Sequence, residues 1–257
     1  RLLVAADAVN SGVRILLGIV LYFWEYGQQG LVSVVQTATP NPGLAWQRFL
    51  EGGPLAFLPL EHGASSIVWS LPEARASRLL ELDDDAFLAE LGQAASGGEG
   101  HWPDQPVSCG PRAAFPLTMR LSKTYRAKRA VLIGDAAHAV HPLAGQGVNL
   151  GLLDAAGLAE VLIAARREGV PFASEKVLEK YARWRRSEAE VMARGMHSIR
   201  GIFIPEELGP LRRFGMGLIS SSWTAKEAFI RRATGRHRNA PALARGASLT
   251  ELLHPSV

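Results

Sequence analysis

Apolar positions change rhythm along this chain. Through the first half they come in short runs closed by turn residues. From Val148 almost to the end they recur at helical spacing. Residues 2–6 form a continuous apolar run ending in Asp7, the pattern of a buried parallel strand. Residues 31–38 are rich in β-branched side chains and partly alternate, which predicts a strand terminated by Pro40-Asn41-Pro42-Gly43. Residues 54–60 and 65–71 predict two more strands, joined by a turn over 61–64. Asp83-Asp84-Asp85 supplies an N-cap and negative charge at the start of a helix over 86–91. Residues 96–100 read as a flexible loop, and 115–121 and 130–133 as strands, the second buried. Val177, Leu178, Tyr181 and Trp184 share one helix face, as do Leu211, Phe214 and Leu218. Such stripes serve a core or an oligomer interface. After Gly235 periodicity fades and the tail reads as loose.

Composition fits a folded chain: 47% of residues are hydrophobic and 20% charged, too apolar for wholesale disorder. No run of 18 uninterrupted apolar residues exists, so no transmembrane helix is expected, and the closest candidate, 13–24, is bracketed by Arg14 and Glu25 and too short to span a bilayer. Cys109 is the only cysteine, which excludes an intrachain disulfide and a cysteine-built zinc site and suits a reducing, cytoplasmic compartment. The net charge is +4, and the excess lies late, in Arg166-Arg167, Arg185-Arg186, Arg212-Arg213, Arg231-Arg232 and 236–238. Such blocks form solvated helix faces or meet anionic surfaces. Without a nucleic-acid motif, lipid or an acidic protein ranks above nucleic acid as a partner. Arg1 stands directly before a core-type strand, so the sequence is expected to be a fragment.

The chemistry concentrates where strands give way to helices. Ala130-Val131-Leu132-Ile133-Gly134-Asp135 is a buried strand with a carboxylate at its C-terminal tip, where open α/β sheets bind ligands and ribose hydroxyls can be held. Gly145 and Gly147 allow close backbone approach to a ligand. The helix that follows presents unpaired N–H groups and a positive dipole end, which suit an electron-rich or anionic group. Asp135, His138 and His141 recur every three residues, but Pro142 and the glycines break a common helical face, so no metal site is assigned. Asp154, inside the apolar helix, reads as a satisfied buried carboxylate before an acid–base catalyst.

Residues 134–151, with His141-Pro142-Leu143-Ala144-Gly145-Gln146-Gly147-Val148-Asn149, resemble the second FAD fingerprint of class A flavoprotein monooxygenases, in the form found in ubiquinone-biosynthesis hydroxylases. The resemblance implies that Asp135 holds the FAD ribose, with Gly134 beside it in the cofactor site, and that Pro142, Gly145, Gln146, Gly147, Val148 and Asn149 line the flavin ring. Asp7-Ala8-Val9-Asn10-Ser11-Gly12-Val13-Arg14 resembles the family's Asp-Gly motif, which implies contacts from Asp7 and Arg14 to FAD or NAD(P)H. Ala8 stands where the family has glycine, so a positive φ there would strain it. The stretches 45–49 and 53–60 are similar to the family's substrate-domain sheet. The Gly-x-Gly-x-x-Gly unit for the FAD pyrophosphate is missing, which implies impaired FAD binding by this stretch alone.

These readings make an α+β chain, part of an α/β parent. It divides into a remnant of the FAD-binding domain (1–20), an antiparallel substrate-domain sheet (21–125), the FAD-binding strand–turn–helix (126–170), a helical C-terminal region (171–235) and a tail (236–257). The implied activity is hydroxylation of the aromatic ring of a polyprenyl-phenol in ubiquinone biosynthesis, with FAD, NAD(P)H and O2. The cofactor carries the chemistry, so no catalytic residue is named. Another aromatic substrate, a halogenase relative, or a non-catalytic oligomerising part of a lipid-synthesis complex are the alternatives. A homo-oligomer, peripheral on the inner face of an anionic membrane, is the expected assembly.

Overall fold

The computed structural model describes residues 1–96, 103–140, 146–203 and 222–254, and they divide into two compact units. The first comprises Arg1–Trp24, Thr118–Ile199 and Leu211–Val257, the second Glu25–Leu117 and Arg200–Pro210. Helices and antiparallel strands both contribute, giving the expected α+β fold.

In the first unit β1 (Leu3–Ala5) runs parallel to β9 (Ala130–Leu132), with Val4 opposite Val131, and β8 (Arg126–Ala127) pairs antiparallel on the other side of β9. Central β9 is fully buried, as its unbroken apolar run predicts. Its neighbour β1 is parallel but not buried throughout. Only Ala5 is enclosed, while Leu3 and Val4 are exposed because β1 is an edge strand of this sheet. After β1 come α1 (Gly12–Leu16) and β2 (Leu21–Thr37), so the apolar stretch 13–24 divides between a short helix and a strand. The strand starts ten residues earlier than its β-branched segment suggests, because Tyr22, Phe23 and Trp24 are all exposed and give no alternation to read.

Two long helices, α4 (Gln146–Arg167) and α5 (Glu175–Phe203), pack on the parallel strands. Leu158, Val161 and Ala165 of α4 meet Val177, Leu178, Tyr181 and Ala182 of α5 over Val131 and Leu132. The expected stripe on α5 is therefore core, with Trp184 partly buried beside it and the Tyr181 hydroxyl donating to the Leu132 carbonyl at 2.9 Å. By length and composition α4 could cross a membrane, yet it carries the fully buried Asp154 and packs into this core. The second stripe, Leu211, Phe214 and Leu218, lies outside the described residues. The tail differs from its loose expectation. After α6 (Trp223–Ala233), Ala240 is buried, the Ala242 amide donates to Glu160 at 2.7 Å, and Ser248 closes a capping box on α7 (Leu249–Leu253).

The second unit is an antiparallel sheet in the order β2, β5 (Ser65–Pro72), β4 (Gly53–Pro59), β3 (Trp46–Leu50), with β6 (Pro106–Cys109) also on β2. One face alternates inward at Leu31, Val35, Leu55, Phe57, Ile67, Trp69 and Leu71. Against it pack α2 (Glu73–Glu81), which the sequence reading did not separate, and α3 (Asp84–Ala95), capped by Asp83 as expected. Each fully buried large side chain here stabilises by about 1.5–3 kcal/mol, so this face fixes the register. The opposite face carries Val32, Val68 and Ala56 in one row and Val34, Ser66 and Leu58 in the next.

Candidate functional site

Strand β9 ends in a tight turn, Gly134–Ala136, closed by the Ala137 amide donating to the Gly134 carbonyl at 2.8 Å. Gly134 takes φ +58°, a conformation that costs a side-chain-bearing residue about 1–2 kcal/mol. Asp135 is exposed at the tip, its carboxylate open to solvent. The chain then forms β10 (His138–Ala139), antiparallel to β7 (Ala113–Ser122), with His138 opposite Leu121.

The turn packs on α4 through two glycines: a Cβ on Gly151 would lie 3.2 Å from the Gly134 Cα. A few residues earlier α4 opens with Gln146 and Gly147. Among the described residues a Cβ on Gly147 would meet nothing within 4 Å, so their packing does not demand glycine there. Val148 is 74% exposed and Asn149 is also on the surface, an arrangement that places an apolar edge and an amide at the positive end of the helix dipole. A cleft of about 470 Å3 opens beside Asn149, walled by Leu152, Leu153, Gly235 and Leu243. Pro142 and Gly145, with His141, lie outside the described residues.

The segment at residues 7–14 divides its tasks. Asp7 is exposed and accepts from the Ser11 hydroxyl and, at 3.1 Å, from the Val13 amide, which caps α1. The Ser11 bond, then the backbone amides, hold its carboxyl below the usual carboxylate range. Arg14, by contrast, is buried. Its guanidinium donates to the Ala136 and Val9 carbonyls, each at 2.9 Å, and burial lowers its pKa. Arg14 thus reaches the turn that holds Asp135 but does so as an internal brace. Arg120, which the sequence reading did not single out, also braces this loop, donating to Asn10 at 3.0 Å while lying over the Phe23 ring at 5.0 Å. Ala8 sits at φ +65°, the strained conformation anticipated for a residue in a glycine position.

Beneath the turn lies a fully buried ionic cluster. Asp154 Oδ2 accepts from the Gly134 amide at 3.0 Å and lies 2.6 Å from His138 Nε2, and Oδ1 accepts from Arg185 Nε at 2.8 Å. Asp154 is the satisfied carboxylate expected from its apolar helix. Its partners were not anticipated, since Arg185 reads in sequence only as half of a basic pair.

The residues present fit a flavin nucleotide. A solvent-facing carboxylate at the end of a parallel strand can accept from ribose hydroxyls, and the start of a long helix, cleared of side chain at Gly147, can take the electron-rich ring. Comparison with known proteins agrees. A family described as FAD binding domain matches residues 1–195. The ubiquinone hydroxylase UbiL of Rhodospirillum rubrum is 36% identical over 244 residues, covering 94% of this chain and 56% of that protein. The 3-demethoxyubiquinol 3-hydroxylase of Escherichia coli is 38% identical over 214 residues, covering 82% and 53%. The structure of P. aeruginosa PqsL in complex with 2-aminobenzoylacetate superposes with a TM-score of 0.70 at 26% identity, covering 80% of this chain and 57% of that one. The chain thus spans little more than half the length of these relatives. With its first 195 residues matched and its turn and helix start suited to the cofactor, this chain belongs to the family described as FAD binding domain.

Proposed function

We propose that the complete protein hydroxylates the aromatic ring of a polyprenyl-phenol intermediate of ubiquinone biosynthesis. The observation that carries this reading is the exposed Asp135 at the tip of β9, in a turn whose Gly134 packs on Gly151 of α4, in a chain whose relatives are named ubiquinone hydroxylases. Bound FAD supplies the redox chemistry: phenol, O2, NAD(P)H and a proton give the hydroxylated phenol, NAD(P)+ and water. The protein's own tasks are to hold the ribose through Asp135, to align the ring edge at Gly147, Val148 and Asn149, and to keep water from the reacting ring. Asp7 remains a candidate for pyridine-nucleotide or FAD contact because its carboxylate is exposed, whereas Arg14 serves from within. An apolar cleft of about 610 Å3 in the first unit, lined by Tyr22, Trp24, Met119 and Leu121, supports a substrate with a hydrocarbon tail.

A non-prenylated aromatic substrate is the second reading, favoured by the likeness to PqsL, which was captured with 2-aminobenzoylacetate. The test is product analysis with the full-length, FAD-loaded protein. Gain of one oxygen on a prenylated phenol, with NAD(P)H consumption that the unprenylated phenol does not elicit, supports the first reading. Turnover of small aromatic compounds alone supports the second. We also propose a peripheral location on anionic membrane and a homo-oligomeric state. The exposed Trp223, Ile230, Arg236 and Arg238 support the membrane contact. Salt-insensitive or absent binding to anionic vesicles would overturn the first, and a monomer by light scattering the second.

A further inference from the structure

We propose that Asp154 is the positioning residue of the flavin site, fixing the Asp135 turn to the start of α4. The inference rests on the reading of Asp135 and the α4 start as the FAD-binding elements, and it concerns a residue that meets neither ligand nor solvent.

Asp154 belongs to α4, about one and a half turns beyond the exposed Val148 and Asn149, so its backbone moves with the end of the helix that faces the ring. Its carboxylate reaches out of the helix to the Gly134 amide, one residue before Asp135. That amide lies one residue beyond the Ile133 amide, which donates to the Ala5 carbonyl of β1 at 3.0 Å, and it turns to Asp154 instead. A helix segment and a turn from different parts of the chain are therefore joined by one charge-assisted hydrogen bond between the two groups that must meet the same cofactor. The glycine contact between Gly134 and Gly151 brings them close, but apolar contact alone leaves the turn free to slide or rotate. The bond to the amide removes that freedom.

The other partners hold the carboxylate itself. Arg185 supplies the countercharge through Nε and is fully buried, and its stem crosses α4 at Gly157, where a Cβ would come within 2.9 Å of Arg185 Cδ. His138 follows the turn by two residues beyond Ala136 and fixes the same oxygen that takes the Gly134 amide. An ionised carboxylate requires the facing His138 nitrogen to carry its proton. Both ends of the turn, Gly134 before Asp135 and His138 after it, thus converge on Asp154 Oδ2. This is a clamp on the segment between them. Packing alone explains a buried Asp–Arg pair but not the placement of both turn ends on one oxygen atom.

The test is a double-mutant cycle on FAD binding by the full-length protein, followed by quenching of flavin fluorescence well below the unfolding temperature. Asp135→Asn and Asp154→Asn are each expected to weaken FAD on the order of tenfold, the worth of one charge-assisted hydrogen bond. The double variant is expected to bind no worse than the weaker single one, since Asp154 acts through the Asp135 turn. Additive losses in the double variant, or a fall in melting temperature with unchanged FAD affinity, would overturn the proposal. An Asp135→Asn protein that binds FAD like the wild type would instead remove the flavin-site reading and this inference with it. Should Asp154→Asn fail to fold with Arg185 left uncompensated, His138→Asn keeps that countercharge and enters the same cycle with the same two outcomes.

Discussion

The guanidinium of Arg14 donates to the carbonyl of Ala136 across 2.9 Å, joining two sequence-distant stretches that the family resemblance assigns separately to the cofactor. Its second arm holds the Val9 carbonyl at the same distance. One buried carbonyl, that of Ala136, and one half-buried carbonyl, that of Val9, thus share one planar fork, and a lysine reaches only one of them. Arg14→Lys is expected to cost about 1.5–3 kcal/mol, the range for a hydrogen bond to a charged group. The midpoint of urea unfolding reads this loss, and because the bonds are buried the difference should persist in high salt. A variant as stable as wild type would show that the brace is dispensable.

The same loop holds a residue that ought to be glycine. Ala8 at φ +65° carries a left-handed penalty of about 1–2 kcal/mol. Glycine relieves it at an entropic cost of roughly 0.5–1 kcal/mol. The penalty outweighs the cost, so Ala8→Gly is expected to stabilise the protein by about 0.5–1 kcal/mol. Ala8→Val, whose branched Cβ fits that region worse, should destabilise it. Paired denaturation curves with unchanged slope check both signs.

Two glycines of α4 separate the needs of the fold from those of the ligand. Gly151 abuts the Gly134 Cα, where an added methyl would sit at 3.2 Å between two backbone segments. Gly151→Ala should therefore lower both the melting temperature and FAD affinity. Among the described residues nothing crowds Gly147, and alanine favours a helix by up to about 1 kcal/mol over glycine. Gly147→Ala should leave the melting temperature of the cofactor-free protein equal or higher while weakening FAD. Unchanged FAD affinity in Gly147→Ala would remove this helix start from the flavin site.

Much of this geometry is legible in the sequence, for identifiable reasons. The strand–turn–helix at residues 130–149 announces itself because an unbroken apolar run stops at Gly134-Asp135 and a glycine-rich segment leads into an apolar helix. The strands of the second unit show where their two faces differ in solvation, at Leu55, Phe57, Ile67 and Trp69. The start of β2 does not show, since Tyr22, Phe23 and Trp24 are apolar on both faces. Least visible is the company Asp154 keeps. His138 lies 16 residues before it and Arg185 31 residues after it, and no local periodicity distinguishes Arg185 from Arg186. One of that pair is fully buried and the other is 34% exposed, a difference set only by how α5 meets α4. Arg14 shows a related limit: charge and spacing suggest phosphate, while packing turns the same fork onto the Ala136 and Val9 carbonyls.

An ion cluster that joins β8 to α5 should contribute to the acid stability of the first unit. Arg126 donates through Nε to Glu179 and through its terminal nitrogen to Glu175, each at 2.6 Å, tying β8 to α5, and Arg183 adds a second bond to Glu179. The Arg126 bond first, then that from Arg183, hold the Glu179 carboxyl below its ordinary value of 4.5. The folded protein therefore releases this proton more readily than the unfolded chain. The resulting stability is fully present above pH 4.5 and is lost as pH falls through the lower folded-state value. Glu179→Gln removes the charge at every pH. Wild type should melt about 1–3 °C above the variant at neutral pH, since partly exposed ion pairs contribute only about 0–1 kcal/mol. The two melting curves should converge as the solution is acidified below pH 4.5, and the neutral-pH gap should shrink in concentrated salt. A gap that widens on acidification would show that Glu179 is destabilised, not stabilised, by its place between the two arginines.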